Sequence, residues 1–338
     1  MGALVLGSMA AGVAATLAWR YVATTRGPFE PTHFVWSRGL ALLCDVNGGV
    51  DFVKRQKGAR PPLRFDPRAY AGIRDGDLVW VRHIALPQFV AEVLPHVRAR
   101  FGLVTGDEDW SIPSGFADAE RLLESEQVAH WFTQNYDGTD TSGKVSGIPI
   151  GLDFHTISNR RKWGHWPATP AKQETELKAL RARMPRTRDR NQLVHADFHF
   201  NKHSGQQGGG ARDEVQEALE DNPAVVFEQR RLKRIELWER KTQYAFVASP
   251  RGHGLDCHRT WESLVLGNIP IVKRSPLDPL YEGLPVVIVD DWHAIEEGNL
   301  RRWLDTHGDT FDDHNVQERL TNRYWINHMR TRLQAALS

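Results

Sequence analysis

The chain has 338 residues, with 43 Lys and Arg against 42 Asp and Glu; that length accommodates two domains of ordinary size. Its balanced charge excludes the global field that draws a protein to nucleic acid or to an anionic membrane, so no nucleic-acid partner is expected. Only Cys44 and Cys257 are present, which excludes a disulfide framework.

Residues 2–19 carry no charge, and Arg20 and Arg26 follow. The stretch reads as a signal anchor or signal-peptide core without a basic n-region, and residues 1–27 are set apart as an apolar N-terminal segment. Membrane association through it is the preferred reading; an apolar helix on a soluble protein is the alternative. By the positive-inside rule the arginines would keep the remainder cytoplasmic.

Residues 28–185 read as a first α/β domain. Strands are expected at 40–45, 78–82, 101–105, 128–133 and 145–150, and a helix over 88–100 that Pro95 disturbs. The strand at 101–105 runs into the acidic turn Gly106-Asp107-Glu108-Asp109. Asp107 and Asp109 are candidate general bases for taking a proton from an acceptor hydroxyl, with His83, Asp153 and His155 as rivals. An Asp-x-Asp pair also suits a hard divalent cation. Residues 160–190, polar and containing Pro167, Pro170 and Pro185, form a linker around a helix near 172–183.

A second domain is assigned to 186–312. Its first strand, LVHADFHF, leads into NKHSGQQGGGARDEV, a Gly-rich turn that opens a helix. Ligands of open α/β sheets bind at the carboxyl ends of strands, which makes Lys202, His203, Ser204 and Arg212 candidate phosphate or cleft contacts. The same composition also suits a surface loop. His195, His199 and His203 recur every four residues but span a strand and a turn, so they do not build a zinc motif on one helix face. The absence of G-x-x-x-x-G-K-[ST] argues against a P-loop enzyme.

The most informative segment is 244–273, YAFVASPRGHGLDCHRTWESLVLGNIPIVK. A short apolar strand stops at Ser249-Pro250. Gly252 and Gly254 leave room for a ligand near the backbone. A helix then begins near 256 or 257, with Asp256 as its N-cap, and its N-terminus favours a phosphate. His258 and Arg259 share a face with Glu262, while Trp261, Leu264 and Val265 form the apolar stripe. Arg251, His253 and Arg259 are candidate phosphate contacts and Glu262 a candidate ribose contact. An Arg259–Glu262 ion pair on a solvated helix face is the plain alternative.

This segment resembles the donor-binding signature of exostosin-like glycosyltransferases: SPRGHGLDCHRTWESLVLGNIPIV, then LDPLYEGLPVVIVDDWHAI. FGLVTGDEDWSIPS and KVSGIPIGLDF are similar to earlier parts of that family, so the likeness covers roughly 78–295. It implies two facing Rossmann-like domains, the GT-B architecture, with mainly parallel sheets flanked by helices. It also implies an inverting transfer from a nucleotide-sugar donor to a glycan or other hydroxylated acceptor. The nucleotide-sugar is a co-substrate, and no resident cofactor or metal is implied. In eukaryotes such a family faces the Golgi lumen. A non-catalytic sugar-nucleotide or glycan-binding module is the alternative. The tail at 313–338 reads as a helix that crosses back to the first domain, as such tails do in GT-B proteins.

Overall fold

The computed structural model describes residues 32–48, 65–158, 161–198 and 209–338. The N-terminal apolar segment and the turn holding Lys202, His203 and Ser204 lie outside the described residues. Among the described residues no helix is long and apolar enough to cross a membrane.

The first unit opens with helix α1 (Ser37–Leu43), then strand β1 (Leu78–Arg82), α2 (Leu86–Glu92), β2 (Phe101–Gly106), α3 (Ala119–Glu124), β3 (Val128–Thr133), β4 (Val145–Gly147) and the short α4 (His155–Ser158). The four strands form one parallel sheet in the order β1-β2-β3-β4. All five residues of β1 are buried. Leu78 and Trp80 enter one apolar cluster while Val79 and Val81 enter another, as the alternating geometry of a strand covered on both faces requires.

The second unit follows α5 (Pro170–Arg181). It comprises β5 (Asn191–Ala196), α6 (Gly209–Leu219), β6 (Val225–Phe227), α7 (Arg234–Lys241), β7 (Tyr244–Ala248), α8 (His258–Val265), β8 (Ile269–Lys273), β9 (Val287–Val289), α9 (Glu297–His307) and α10 (His314–Arg319). Its five strands are all parallel, in the order β6-β5-β7-β8-β9. The order reverses between β5 and β7, and in open α/β sheets the crevice outside such a switch point receives ligands. Two parallel sheets flanked by helices make this a two-domain α/β fold.

The last helix, α11 (Asn322–Leu337), packs on the first sheet. Trp325, Met329 and Leu333 are buried along it, and Arg330 pairs with Asp45 at 2.9 Å. The Asn322 Nδ2 donates to the Phe34 carbonyl at 2.9 Å, clipping the tail to the start of the first unit.

Two local expectations change. Residues 40–45 are not a strand, because the run belongs to α1, with Leu40 and Ala41 fully buried. A short apolar run has no periodicity that separates a buried strand from a buried helix. The helix expected over 88–100 is α2, and it is cut short at Glu92; a 3-10 turn, Leu94–His96, carries Pro95. Pro95 cannot donate the helical hydrogen bond.

Candidate functional site between the two sheets

Residues 249–257 leave β7 at the switch point and cross to α8. Ser249 and Thr260 join by a 2.9 Å hydroxyl contact that anchors the start of the loop to the helix. Arg251 and His253 are exposed, whereas Gly254 is buried against the first unit. A Cβ at Gly254 would lie 2.8 Å from the Asn135 Oδ1, so this glycine is needed for close approach of the two units.

Asp256 is not the N-cap of α8. Cys257 holds that position, without a side-chain cap. The Asp256 carboxylate instead accepts from the Ile150 N–H at 2.7 Å, the Cys257 N–H at 2.7 Å and the Trp261 Nε1–H at 2.9 Å. Its own N–H donates to the Asn135 Oδ1 at 2.9 Å. Buried and saturated, Asp256 fastens the loop to the first unit and does not face a ligand.

Arg259 and Glu262 share a face of α8 but belong to a buried charge network, not a solvated ion pair. The Arg259 Nε donates to the Asp197 Oδ1 at 2.6 Å, and its Nη1 donates to the Pro250 carbonyl at 3.2 Å. Asp197, the residue just beyond β5, also pairs with the buried Lys241 at 2.9 Å. Burial alone would raise the Asp197 carboxyl, but Lys241 and Arg259 outweigh it and hold it well below the usual carboxylate range. Glu262 lies 3.4 Å from the Arg234 Nη2 and 3.9 Å from the Lys241 Nζ. Arg259 thus sets the shape of the loop through Pro250. Asp197, Arg234 and Lys241 were missed from sequence because Asp197 follows β5 while Arg234 and Lys241 sit at the two ends of α7, with no shared motif.

A cavity of about 390 Å³ opens outside the carboxyl ends of β7 and β8. Arg251, Cys257 and Thr260 line it from the donor loop and α8, Lys273 from the last position of β8, and Arg274 and Trp292 from beyond β8 and β9. Lys273 pairs with Glu214 of α6, and Arg274 with Asp290 at 2.6 Å. Arg251 has no ion-pair partner among the described residues. Arg212 sits beside this loop, with its Nη2 3.3 Å from where a Cβ on Gly252 would be. The cavity has cations, an apolar floor and helix N–H groups at one edge.

Across the junction, the carboxyl ends of β1, β2 and β3 converge. Asp107 adopts a left-handed backbone with φ of 69°, which turns its carboxylate back between two guanidiniums. Arg38 lies 3.2 Å and Arg82 3.0 Å away. Burial would raise the Asp107 carboxyl, but Arg38 and Arg82 prevail and hold it below its usual range. A carboxylate so committed is a poor proton acceptor, and Asp107 is set aside as a base. Asp109, by contrast, is exposed on the same turn. That turn abuts the second unit through Asn135, whose Nδ2 donates to the Glu108 carbonyl at 3.0 Å.

Of the rival bases, His83 is fully buried, stacked on Trp110 and within 3.2 Å of the Thr133 hydroxyl. Burial pushes it down to about 3, so it is a core histidine. Asp153 and His155 lie together at the end of the first unit, 3.1 Å apart, beside His258 at the first turn of α8. Burial lowers His155 to about 4.

No protein-family model and no curated protein matches the chain. Among solved structures it is similar to an alpha,alpha-trehalose-phosphate synthase (UDP-forming) from Burkholderia vietnamiensis, at 12% identity over 88% of this chain and 83% of that one, with a TM-score of 0.44. It is also similar to a trehalose-6-phosphate structure from E. coli bound with UDP-2-fluoro glucose, at 12% identity over 94% and 85%, TM-score 0.40. Likeness this low transfers no residue role, and the fold rests on the two sheets described above.

Proposed function

We propose that this chain is an exostosin-like glycosyltransferase that moves a sugar from a nucleotide-sugar donor to a hydroxyl of a glycan or other acceptor. The observation that carries the reading is one convergence. The glycine loop after β7, the first turn of α8, the exposed Arg251 and the cavity beyond β8 all meet beside the β5/β7 switch point. A diphosphate fits the loop and helix end, where N–H dipoles and Arg251 oppose its charge. The nucleoside enters the cavity between Cys257, Thr260, Lys273 and Trp292.

Transfer inverts the anomeric centre by direct displacement and is metal-independent, because fixed cations and dipoles stabilise the departing diphosphate. Asp109, on the opposing turn, accepts the proton of the acceptor hydroxyl. Arg259 and Glu262 act one layer behind the donor: Arg259 holds the loop through Pro250, and Glu262 completes the network that orients Arg259 through Lys241 and Asp197. Membrane attachment through residues 1–27 belongs to the same proposal.

The test is a panel of nucleotide-sugars incubated with the full chain, with nucleotide release followed with and without glycan acceptors. Release with at least one donor supports the enzyme. Tight nucleotide binding without any release would mean a binding module instead. Arg251→Ala should weaken nucleotide affinity roughly tenfold or more while leaving the fold unchanged, since one charge-assisted contact is lost from an exposed side chain with no ion-pair partner among the described residues.

A further inference from the structure

Where the two units meet lies a side-chain cluster to which the contacts proposed above give no role, although His258 was a donor-site candidate from sequence. Asp153 and His155 close the first unit, and His258 begins α8 of the second. One ligand atom from each lies within 4.8 Å of the others. The His258 Nδ1–H donates to the Gly151 carbonyl at 2.6 Å. That bond fixes the ring and leaves the lone pair on Nε2, the outer-shell arrangement that orients metal-ligating imidazoles. His155 has its Nδ1 3.1 Å from the Asp153 Oδ1, yet this buried nitrogen has no well-aligned hydrogen bond. Asp153 is itself buried and is held in place by the Thr156 N–H at 2.9 Å.

We propose that Asp153, His155 and His258 form a divalent transition-metal site of the zinc class. Two imidazoles and one carboxylate are the donors of borderline metals, whereas Mg²⁺ and Ca²⁺ prefer all-oxygen shells. The His155 side chain is 20% exposed, which gives the ion an entry path and a fourth position for water. Because His258 belongs to the second unit and the other two ligands to the end of the first, the ion ties the two together. It holds the first turn of α8 against the Gly151 segment. The ion acts as a clip on the donor loop and takes no part in neutralising the diphosphate.

The experiment is a calorimetric titration of Zn²⁺ into the chelator-treated full chain, without nucleotide, so that it is read independently of glycosyl transfer. One ion per chain is expected, with affinity falling at least about tenfold in His258→Ala and in Asp153→Asn. His307→Gln, at the end of α9 and outside the cluster, should leave affinity unchanged. Cobalt(II) added to the unmutated chain should give the visible bands of a four-coordinate nitrogen and oxygen site, which does not depend on any variant folding. An intense thiolate charge-transfer band would place Cys257 on the ion and overturn the donor set. No binding at about 100 µM zinc, or folded variants that keep full affinity, would overturn the site itself.

Discussion

Arg259 is the residue whose meaning changed most between sequence and structure. Its place on the helix after a glycine loop was legible, because helical spacing alone puts it beside Glu262. Its partner was not legible: Asp197 lies 62 residues upstream and reaches Arg259 only because β5 and β7 are neighbours. Arg259→Ala is therefore expected to lower thermal stability as well as nucleotide affinity, since it leaves a buried carboxylate with Lys241 alone and frees the Pro250 carbonyl. Thermal unfolding and nucleotide titration on one preparation check both effects. Arg251→Ala should move only the second. The acidic turn divides in the same way. Asp109→Asn should reduce turnover by about 10²-fold or more with nucleotide affinity retained, as removal of a general base does. Asp107 belongs to structure: Arg38→Ala, which unpairs it on one side, should cost on the order of 3 kcal/mol in denaturant unfolding.

For the elements, strands and helices with clear periodicity were readable and short buried ones were not. The segments 78–82, 101–105 and 128–133 stand as β1, β2 and β3, and 244–248 as β7, because each is apolar on both faces of a parallel sheet. Helix α1 was misread because both its faces are buried, so its seven residues show no polar stripe. The loop between β7 and α8 was recognised as a unit, but its attachment to Asn135 and Ile150 had no sequence signal. That attachment gives a sharp test. Gly254→Ala places a methyl against the Asn135 amide, which must then move away from Asp256. Nucleotide affinity should fall several-fold while far-UV circular dichroism stays unchanged; an unaltered affinity would mean that the loop does not need its seat on the first unit.

At the scale of the whole molecule, two parallel sheets meet through buried polar contacts, and those contacts make stability depend on pH. His83 and His130 are lowered by burial, to about 3 and 4. An unfolded chain protonates these rings near 6.5, whereas the folded chain does so only near 3 to 4. Their contribution is thus fully present above about pH 6.5 and is lost as pH falls towards 4, because the unfolded state then binds more protons. Each buried ring contributes on the order of 1 kcal/mol per pH unit across that window. The midpoint of thermal unfolding should therefore drop steadily from pH 7 to pH 5; a flat profile would contradict the burial of these rings. The parallel α/β fold was legible because alternating strand and helix segments lead to parallel sheets. The strand-order reversal that places the cavity was not, since order within a sheet leaves no mark on a single sequence. The most direct measurement of the central claim is nucleotide release from a panel of nucleotide-sugars by the full chain, compared with its Arg251→Ala variant. Release from at least one donor is expected, accelerated by a hydroxylated acceptor and reduced in the variant. Failure of every nucleotide and nucleotide-sugar to bind would contradict it.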